Sequence, residues 1–214
     1  MTKENFLVLD TETANDIDCP LVYDVGFMVC DTTGDILEQH SYVLAETFLN
    51  KDLMNTAYYA EKIPKYEEQL KSGERIMRRC KTIKFILQDI IKQYDIKKMW
   101  AYNCRFDYKS LTNTQRYLTK SKYRYFYPKD LEFHDILKYS RTVLKDSKQY
   151  NEFCKDNNYL DTRGQNRHTA EIVYRFLFDE NFDEKHMGLD DCIIEHKILQ
   201  KMTEWEPDLD CRLW

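Results

Sequence analysis

The stretch Phe6-Leu7-Val8-Leu9-Asp10-Thr11-Glu12-Thr13 places four apolar residues directly before two carboxylates that are two positions apart. Side chains two apart in a β-strand point to the same face, about 7 Å from each other along the chain. A strand that ends here would present Asp10 and Glu12 side by side, and carboxylates this close repel each other unless a cation neutralises them. The stretch predicts one half of a metal site. The alternative is an ordinary turn or helix cap after a core strand.

The composition is that of a folded protein rich in helix. With 214 residues the chain is long enough for one sizeable core and short for two domains. We predict a single domain over residues 1–214, with a helical insertion at about 46–96. Aromatic residues make up 14% of the chain, against only 5 Gly and 4 Pro, which argues against a disordered chain.

The charge and the cysteines restrict the environment and the partners. A net charge of −5 argues against a general nucleic-acid coat, although it is compatible with a local basic groove. The seven cysteines follow no C-x-x-C spacing, and the first residues show no signal-peptide pattern. No apolar run approaches the roughly 20 residues of a membrane span. We therefore expect a cytoplasmic protein without membrane contact, of undetermined oligomeric state.

Strand and helix patterns alternate along the chain as in an α/β protein. Three strands come first, because turn residues join the strand patterns at 23–30 and 36–44 in a hairpin. Residues 46–95 then predict helix, with an apolar stripe at Ile76, Cys80, Ile83, Leu87, Ile90 and Tyr94. Two further strands are predicted at 98–102 and 131–135. Helices are predicted at 103–118, 136–144, 148–157, 169–178 and 189–202. The result is a mixed five-stranded sheet flanked by helices.

Asp107 is a candidate for the second part of the metal site. It lies four positions before Leu111 on the predicted helix 103–118, which Asn103 would cap, and thus on the stripe that faces the sheet. A carboxylate on a buried stripe needs a partner. The alternative is a surface role in the first turn, where the helix dipole favours negative charge.

The run from Glu184 to Glu195 offers a histidine and two candidate carboxylates at a helix start. Steps of three and four from Asp191 reach Ile194, Ile198 and Met202, so Asp191 faces inward and Asp190 is the predicted cap. His186 lies five positions before Asp191. Its alternative is a surface or capping histidine.

In this order and structural context, these residues resemble the DEDDh family of 3′-to-5′ exonucleases. The three motifs are the D-x-E of Asp10 to Glu12, the N-x-x-x-D of Asn103 to Asp107 and the H-x-x-x-x-D of His186 to Asp191. The similarity spans Phe6 to Met202. The stretches 57–64 and 124–128 also resemble small phage-encoded members, which act in a bacterial host cytoplasm. One departure is Tyr102, where many relatives have His, and it affects the substrate lining more than metal binding.

The resemblance implies an RNase H-like fold and a site for two Mg²⁺ ions, for which Mn²⁺ can substitute, with no organic cofactor. The metal ligands would be Asp10, Glu12, Asp107 and Asp191, and His186 would be the general base. Asp10 would bridge both ions, Glu12 and Asp191 would complete the ion that holds the attacking water, and Asp107 would act on the other ion. The sugar of the terminal nucleotide would contact Thr11, Thr13, Asn103 and Phe106, although Phe106 could equally be a core residue.

The expected partner is the 3′ end of single-stranded DNA, from which nucleoside 5′-monophosphates are released. RNA or short signalling oligonucleotides are one alternative, and an inactive nucleic-acid-binding module on the same fold is another. Residues 120–129 interleave basic and aromatic side chains, which fits a single-strand groove or a half-buried strand. A basic cluster is predicted to be the solvated face of a helix, with phosphate contact as the alternative: Lys71, Arg75, Arg78, Arg79, Lys81 and Lys84.

Overall fold

A mixed β-sheet forms the centre of the molecule. Within residues 3–178, 181–183, 185–207 and 209–214, which this computed structural model describes, the sheet has six strands in the order β4-β3-β2-β1-β5-β6. Strands β1, β2 and β3 pair antiparallel, and the other neighbours pair parallel. The strands are β1 (Asn5–Ala14), β2 (Leu21–Asp31), β3 (Ile36–Leu44), β4 (Ile76–Arg78), β5 (Lys98–Ala101) and β6 (Glu132–Asp135).

Helices cover both faces of this sheet. They are α1 (Ala45–Phe48), α2 (Lys51–Met54), α3 (Ile63–Ser72), α4 (Cys80–Gln93), α5 (Cys104–Thr119), α6 (Ile136–Leu144), α7 (Lys148–Asp156), α8 (Ala170–Phe178) and α9 (Gly188–Trp205). A 3₁₀ turn, Ala60–Lys62, precedes α3. In the part of the chain that the structure describes, no helix is both long and apolar enough to cross a membrane.

The predicted α/β fold with a mixed sheet between helices is confirmed, but the sheet has six strands where the sequence predicted five. The additional strand is β4, which pairs in parallel with the end of β3. Ile76 had been placed on the helical stripe with Cys80, yet α4 begins only at Cys80. A spacing of four residues fits both descriptions, so periodicity did not reveal that the chain leaves the helical pattern between α3 and α4.

The alternation of side chains along β1 sets the position of its carboxylates. Leu7 and Leu9 pack in the core cluster that includes the apolar residues of α4 and α5. Val8 points to the other face, where it packs with Cys192 of α9. Since alternate residues share a face, Asp10 continues the face of Val8 and Thr11 continues the face of Leu9. The end of β1 thus presents polar groups to α9 on one side and to α5 on the other.

Helix α9 begins in direct contact with the backbone of β2. A Cβ atom on Gly26 would lie 2.1 Å from the backbone nitrogen of Leu189 and 2.2 Å from the carbonyl carbon of Gly188. A Cβ atom on Gly188 would lie 2.6 Å from the backbone nitrogen of Gly26. Gly26 pairs with Asp10 across the sheet. The absence of both side chains therefore lets the start of α9 lie next to the acidic end of β1.

A buried ion pair joins the helical segment after β3 to the sheet and to α9. Asp24 of β2 is fully buried, and its Oδ1 lies 2.6 Å from Nη1 of Arg75. Its Oδ2 accepts hydrogen bonds from the Tyr66 hydroxyl at 2.7 Å and from the Gly188 backbone N–H at 3.1 Å. The prediction that Arg75 belongs to a solvated helix face is wrong, because it lies between α3 and β4 and neutralises a carboxylate that the sheet buries.

Residues 120–129 form turns and irregular structure, so the predicted alternative of a half-buried strand is wrong. Phe126 and Tyr127 are buried in the main core cluster. Tyr123 and Tyr125 are exposed. The alternation of basic and aromatic residues thus reflects two core anchors and a solvated loop.

The contact between Gly26 and Gly188 predicts that Gly26→Ala is strongly destabilising. The added methyl group overlaps backbone atoms, which cannot rotate away, so we expect a loss of about 3 kcal/mol or more in the free energy of unfolding. Urea denaturation measures it. Gly73→Ala is the matched control: its Cβ would meet no atom within 4 Å, and only the positive φ of 80° opposes it, at about 1 to 2 kcal/mol. Equal losses in both variants would contradict the packing argument.

Candidate active site

One cleft of about 510 Å³ opens at the end of β1, where α5 and α9 both begin. All residues that the sequence predicted as metal ligands or as general base line it: Asp10, Glu12, Asp107, His186 and Asp191. They come from the first strand, from α5 in the middle of the chain, and from the start of α9 with the residues just before it. The fold therefore brings together the three motifs of the sequence.

Asp107 is fixed from the sheet side. It lies in the first turn of α5 and is buried. Its Oδ1 accepts a hydrogen bond from the Thr11 hydroxyl at 2.8 Å. Thr11, which was predicted to contact substrate, thus also orients a carboxylate of the site.

Asp191 is fixed by the start of its own helix. Its Oδ2 accepts a hydrogen bond from the Met187 backbone N–H at 2.8 Å, and Met187 is the residue at the N-cap of α9. The prediction that Asp190 is the cap is wrong. Asp190 lies inside the first turn of α9, where its carboxylate pairs with Lys185 Nζ at 2.6 Å. The inward orientation predicted for Asp191 agrees with its exposure of 4%.

His186 is held in an unusual backbone conformation beside the carboxylates. Its φ of 51° lies in the left-handed region, which few residues other than glycine adopt. Its ring stacks on Tyr59 with 4.0 Å between ring centroids. One ligand atom each of Glu12, His186 and Asp191 lies within 4.8 Å of the others. Partial burial, together with the charge of Lys62, lowers the pKa of His186, so the neutral ring that can accept a proton predominates at neutral pH.

The residues predicted to contact substrate are placed differently from one another. Thr11, Asn103 and Phe106 line the cleft. Phe106 is half-buried there, which favours the pocket over the core as its environment. Asn103 precedes α5 with a φ of 63° and makes no side-chain cap hydrogen bond. Thr13 lies after a register shift in the β1–β2 pairing, outside the lining found among the described residues.

Sequence reasoning missed several residues of the cleft. Glu195 lies one turn after Asp191 on α9, is 3% exposed and also lines the site. The four-residue spacing from Asp191 was a signal that could have found it, since such residues share a helix face. Tyr59 comes from the helical segment after β3, for which no local pattern predicted a place in the site. Tyr102, which the sequence had assigned to the substrate lining, lies there. The other lining residues that were missed are Leu137, Arg141, Asp161, Asn166, Arg167, His168, Thr169 and Ala170.

The electrostatics of the cleft fit a divalent cation. Burial, followed by the charges of Glu195, Asp107, Asp191 and Glu12, raises the pKa of Asp10 well above its ordinary value. Burial also raises the pKa of Asp107. Carboxylate oxygens are the ligands that Mg²⁺ and Mn²⁺ prefer, and a cation among them removes the repulsion that otherwise favours protonation. The donor set is therefore suited to hard cations.

The fold is that of known nucleases, although the sequence is distant from them. No protein-family model matches the chain, and no curated protein matches its sequence. The nuclease domain of 3′hExo, a DEDDh family member solved with bound rAMP, superposes with a TM-score of 0.60 at 14% identity, over 98% of this chain and 96% of that one. E. coli exonuclease I in complex with a dT13 oligonucleotide gives a TM-score of 0.63 at 12% identity, over 95% of this chain.

A third similar structure is cell-death related nuclease 4, with a TM-score of 0.55 at 13% identity over 95% of this chain. The chain spans 42% of the exonuclease I chain and 64% of the cell-death related nuclease chain. At these identities the likeness shows the fold. The mixed α/β sheet with its flanking helices is thus the architecture of DEDDh-type 3′-exonucleases.

The raised pKa of Asp10 predicts that the metal-free protein loses stability as pH rises. Because the unfolded chain releases this proton near pH 4 and the folded chain holds it, stability falls from there upward. We expect metal-free Asp10→Asn to melt about 3 °C or more above the wild type at pH 8. Saturating Mg²⁺ or Mn²⁺ should raise the wild-type melting temperature, and that of Asp10→Asn much less.

Differential scanning fluorimetry measures these shifts. Asp156→Asn, which removes an exposed carboxylate outside the cleft, is the control and should behave as the wild type. A wild-type melting temperature that neither falls between pH 5 and 8 without metal nor rises with metal would contradict the charge-repulsion account.

Proposed function

We propose that the protein is a divalent-cation-dependent 3′-to-5′ exonuclease that removes nucleoside 5′-monophosphates from single-stranded DNA. The observation that carries the proposal is the convergence of Asp10, Glu12, Asp107, Asp191 and His186 in one cleft, on a fold shared with DEDDh-type 3′-exonucleases. All three motifs contribute, in the chain order that the resemblance requires. A set of buried, mutually repelling carboxylates is costly to a fold and is typical of a functional site.

The carboxylates of Asp10, Glu12, Asp107 and Asp191 would hold two Mg²⁺ ions, with Mn²⁺ as a substitute. When bound, such ions neutralise charge on the phosphate and lower the pKa of a coordinated water. Thr11 keeps the Asp107 carboxylate oriented through its hydroxyl hydrogen bond. The Met187 N–H does the same for Asp191.

His186 would act as the general base. A ring nitrogen of His186 lies within 4.8 Å of a carboxylate oxygen of Glu12 and of Asp191. A water between these groups can therefore pass its proton to that nitrogen. The stack on Tyr59 fixes the plane of the ring. The water oxygen then forms a bond to phosphorus while the bond from phosphorus to the 3′-oxygen of the preceding nucleotide breaks. That oxygen takes up a proton, and the products are a nucleoside 5′-monophosphate and a strand shortened by one nucleotide.

The choice of DNA over RNA is the finer part of the proposal. Phe106, Asn103 and Thr11 line the cleft where the terminal nucleoside would lie. A protein distinguishes RNA from DNA at such a position through a contact to the 2′-hydroxyl group. RNA or short oligonucleotides are the second candidate, because the structurally similar 3′hExo domain was solved with rAMP. An inactive binding module is less consistent with the site, since every position of the three motifs carries its residue.

Loss of single site residues should separate chemistry from metal binding. We expect Asp10→Ala and Asp191→Ala to abolish hydrolysis, because each removes a ligand. His186→Ala should lower the rate about 100-fold or more, within the range of general-base catalysis, while Mn²⁺ still binds. Gel assays on 3′-end-labelled oligomers and calorimetric Mn²⁺ titration provide the two measurements. An unchanged rate in His186→Ala would exclude this base, and full activity in excess EDTA would exclude the metal mechanism.

Matched substrates should decide between DNA and RNA. We expect 5′-labelled DNA of 10 to 30 nucleotides to be shortened stepwise from its 3′ end, faster than RNA of the same sequence and faster than dinucleotides of either kind. Asp191→Ala, incubated in parallel, controls for contaminating nucleases. Faster turnover of RNA dimers than of long DNA would overturn the choice of DNA while leaving the exonuclease activity in place.

A further inference from the structure

The lining of the cleft divides into an acidic part and a basic part. The carboxylates predicted as metal ligands come from β1, α5 and α9. Two arginines come from other elements: Arg141 from the last turns of α6, and Arg167 from the segment 159–169 between α7 and α8. Both residues are exposed to solvent. The cleft therefore offers a second, cationic subsite beside the carboxylates.

The backbone that carries Arg167 is firmly held. The Tyr150 hydroxyl donates a hydrogen bond to the Arg167 carbonyl oxygen at 2.6 Å, and the Arg167 N–H donates to the Tyr159 carbonyl oxygen at 3.0 Å. The Tyr102 hydroxyl donates to the carbonyl oxygen of His168 at 2.7 Å. These three hydrogen bonds hold the backbone of two consecutive residues and so fix where Arg167 leaves the chain beside the cleft. Such preorganisation is what a binding subsite requires.

The positive charges of Arg141 and Arg167 are available to a ligand in the cleft. Among the residues that the structure describes, the arginines that form ion pairs are Arg75, Arg175 and Arg212. The carboxylate on the same wall, Asp161, uses its Oδ1 to accept backbone N–H groups of its own turn at 2.8 and 2.9 Å. Burial and the nearby charge of Arg141 lower the pKa of His168 to about 4, so this ring is neutral at pH 7.

We propose that Arg141 and Arg167 bind the phosphodiester group one nucleotide before the scissile bond. This inference rests on the proposed exonuclease function. The scissile phosphate must lie at the carboxylates, which come from β1, α5 and α9, whereas both arginines come from other elements that line the cleft. The next phosphate along the strand is the nearest remaining anion, and guanidinium groups bind phosphate oxygens through paired hydrogen bonds.

This subsite defines the substrate class. An ester with a single phosphate can reach the catalytic groups but leaves both arginines without an anion. A strand with at least two consecutive phosphodiester groups engages both parts of the cleft. We therefore expect the enzyme to favour oligonucleotides over single-nucleotide esters through this contact.

The test compares two substrates in the full-length protein. The first is the p-nitrophenyl ester of thymidine 5′-monophosphate, which has one phosphate, and the second is a thymidine trinucleotide. Arg141→Ala and Arg167→Ala should each lower kcat/KM for the trinucleotide about 10-fold or more and leave hydrolysis of the ester unchanged. Arg163→Ala removes an exposed arginine of the same segment that does not line the cleft and is the matched control.

A charge substitution in the substrate makes the test specific. Replacing the first linkage of the trinucleotide by an uncharged methylphosphonate should lower wild-type kcat/KM by a similar factor, and the arginine variants should then show no further loss. Losses that are equal on the ester and the trinucleotide would overturn the proposal, because the arginines would then act at the scissile phosphate or on the fold. Additive losses with the methylphosphonate would overturn it as well.

Binding separates this inference from the proposed function. If wild-type protein hydrolyses neither substrate, the exonuclease proposal fails, and fluorescence anisotropy with a 5′-labelled trinucleotide still tests the subsite. The slope of log affinity against log salt concentration should be smaller in magnitude by about 0.7 in the double variant, since both arginines neutralise the same single phosphate. Equal affinity and equal slope in wild type and double variant would overturn the subsite.

Discussion

The close contact between the backbones of β2 and α9 is the constraint on which the rest of the structure depends. Gly26 and Gly188 meet without side chains, so the last helix starts against the sheet rather than a side-chain layer away from it. That start carries His186 and Asp191, and the strand beside Gly26 carries Asp10. The short distance between the first and third motifs thus depends on the absence of a side chain at both glycines. The hydrogen bond from Gly188 to Asp24 fixes the same contact electrostatically.

Asp24 and Asp10 represent two kinds of carboxylate in this protein, and they differ in what neutralises them. Burial raises the pKa of Asp24, but Arg75, Tyr66 and Gly188 counteract this by stabilising its charged form, and the result is a structural anchor. Asp10 is surrounded by further carboxylates, which add to the effect of burial. The first arrangement is satisfied by the chain itself. The second is not, because like charges surround Asp10, and a fold can hold a functional site of this kind at the expense of its own stability.

Periodicity predicted most of the fold and the core of the site, because these depend on local geometry. Alternation along β1 placed Asp10 and Glu12 together, and the helical stripe distinguished Asp191 from Asp190 as the inward residue. Two of the wrong predictions concern contacts between separate segments: Arg75 pairs with a residue 51 positions away, and β4 forms by pairing with the edge of β3. The third is local, because the cap of α9 is the apolar residue Met187, whose N–H donates to Asp191 four positions on. Glu195 was within reach of the same helical stripe and was overlooked.

The site joins the first strand of the chain to its last helix, and this has a consequence for biosynthesis. Residues 10 and 191 meet only after α9, which ends at Trp205, has formed and docked against β1 and β2. Contacts of such long sequence separation form late and slow the folding of a domain. The cleft therefore lacks one of its walls until the segment that carries α9 has been synthesised and has folded against the first two strands.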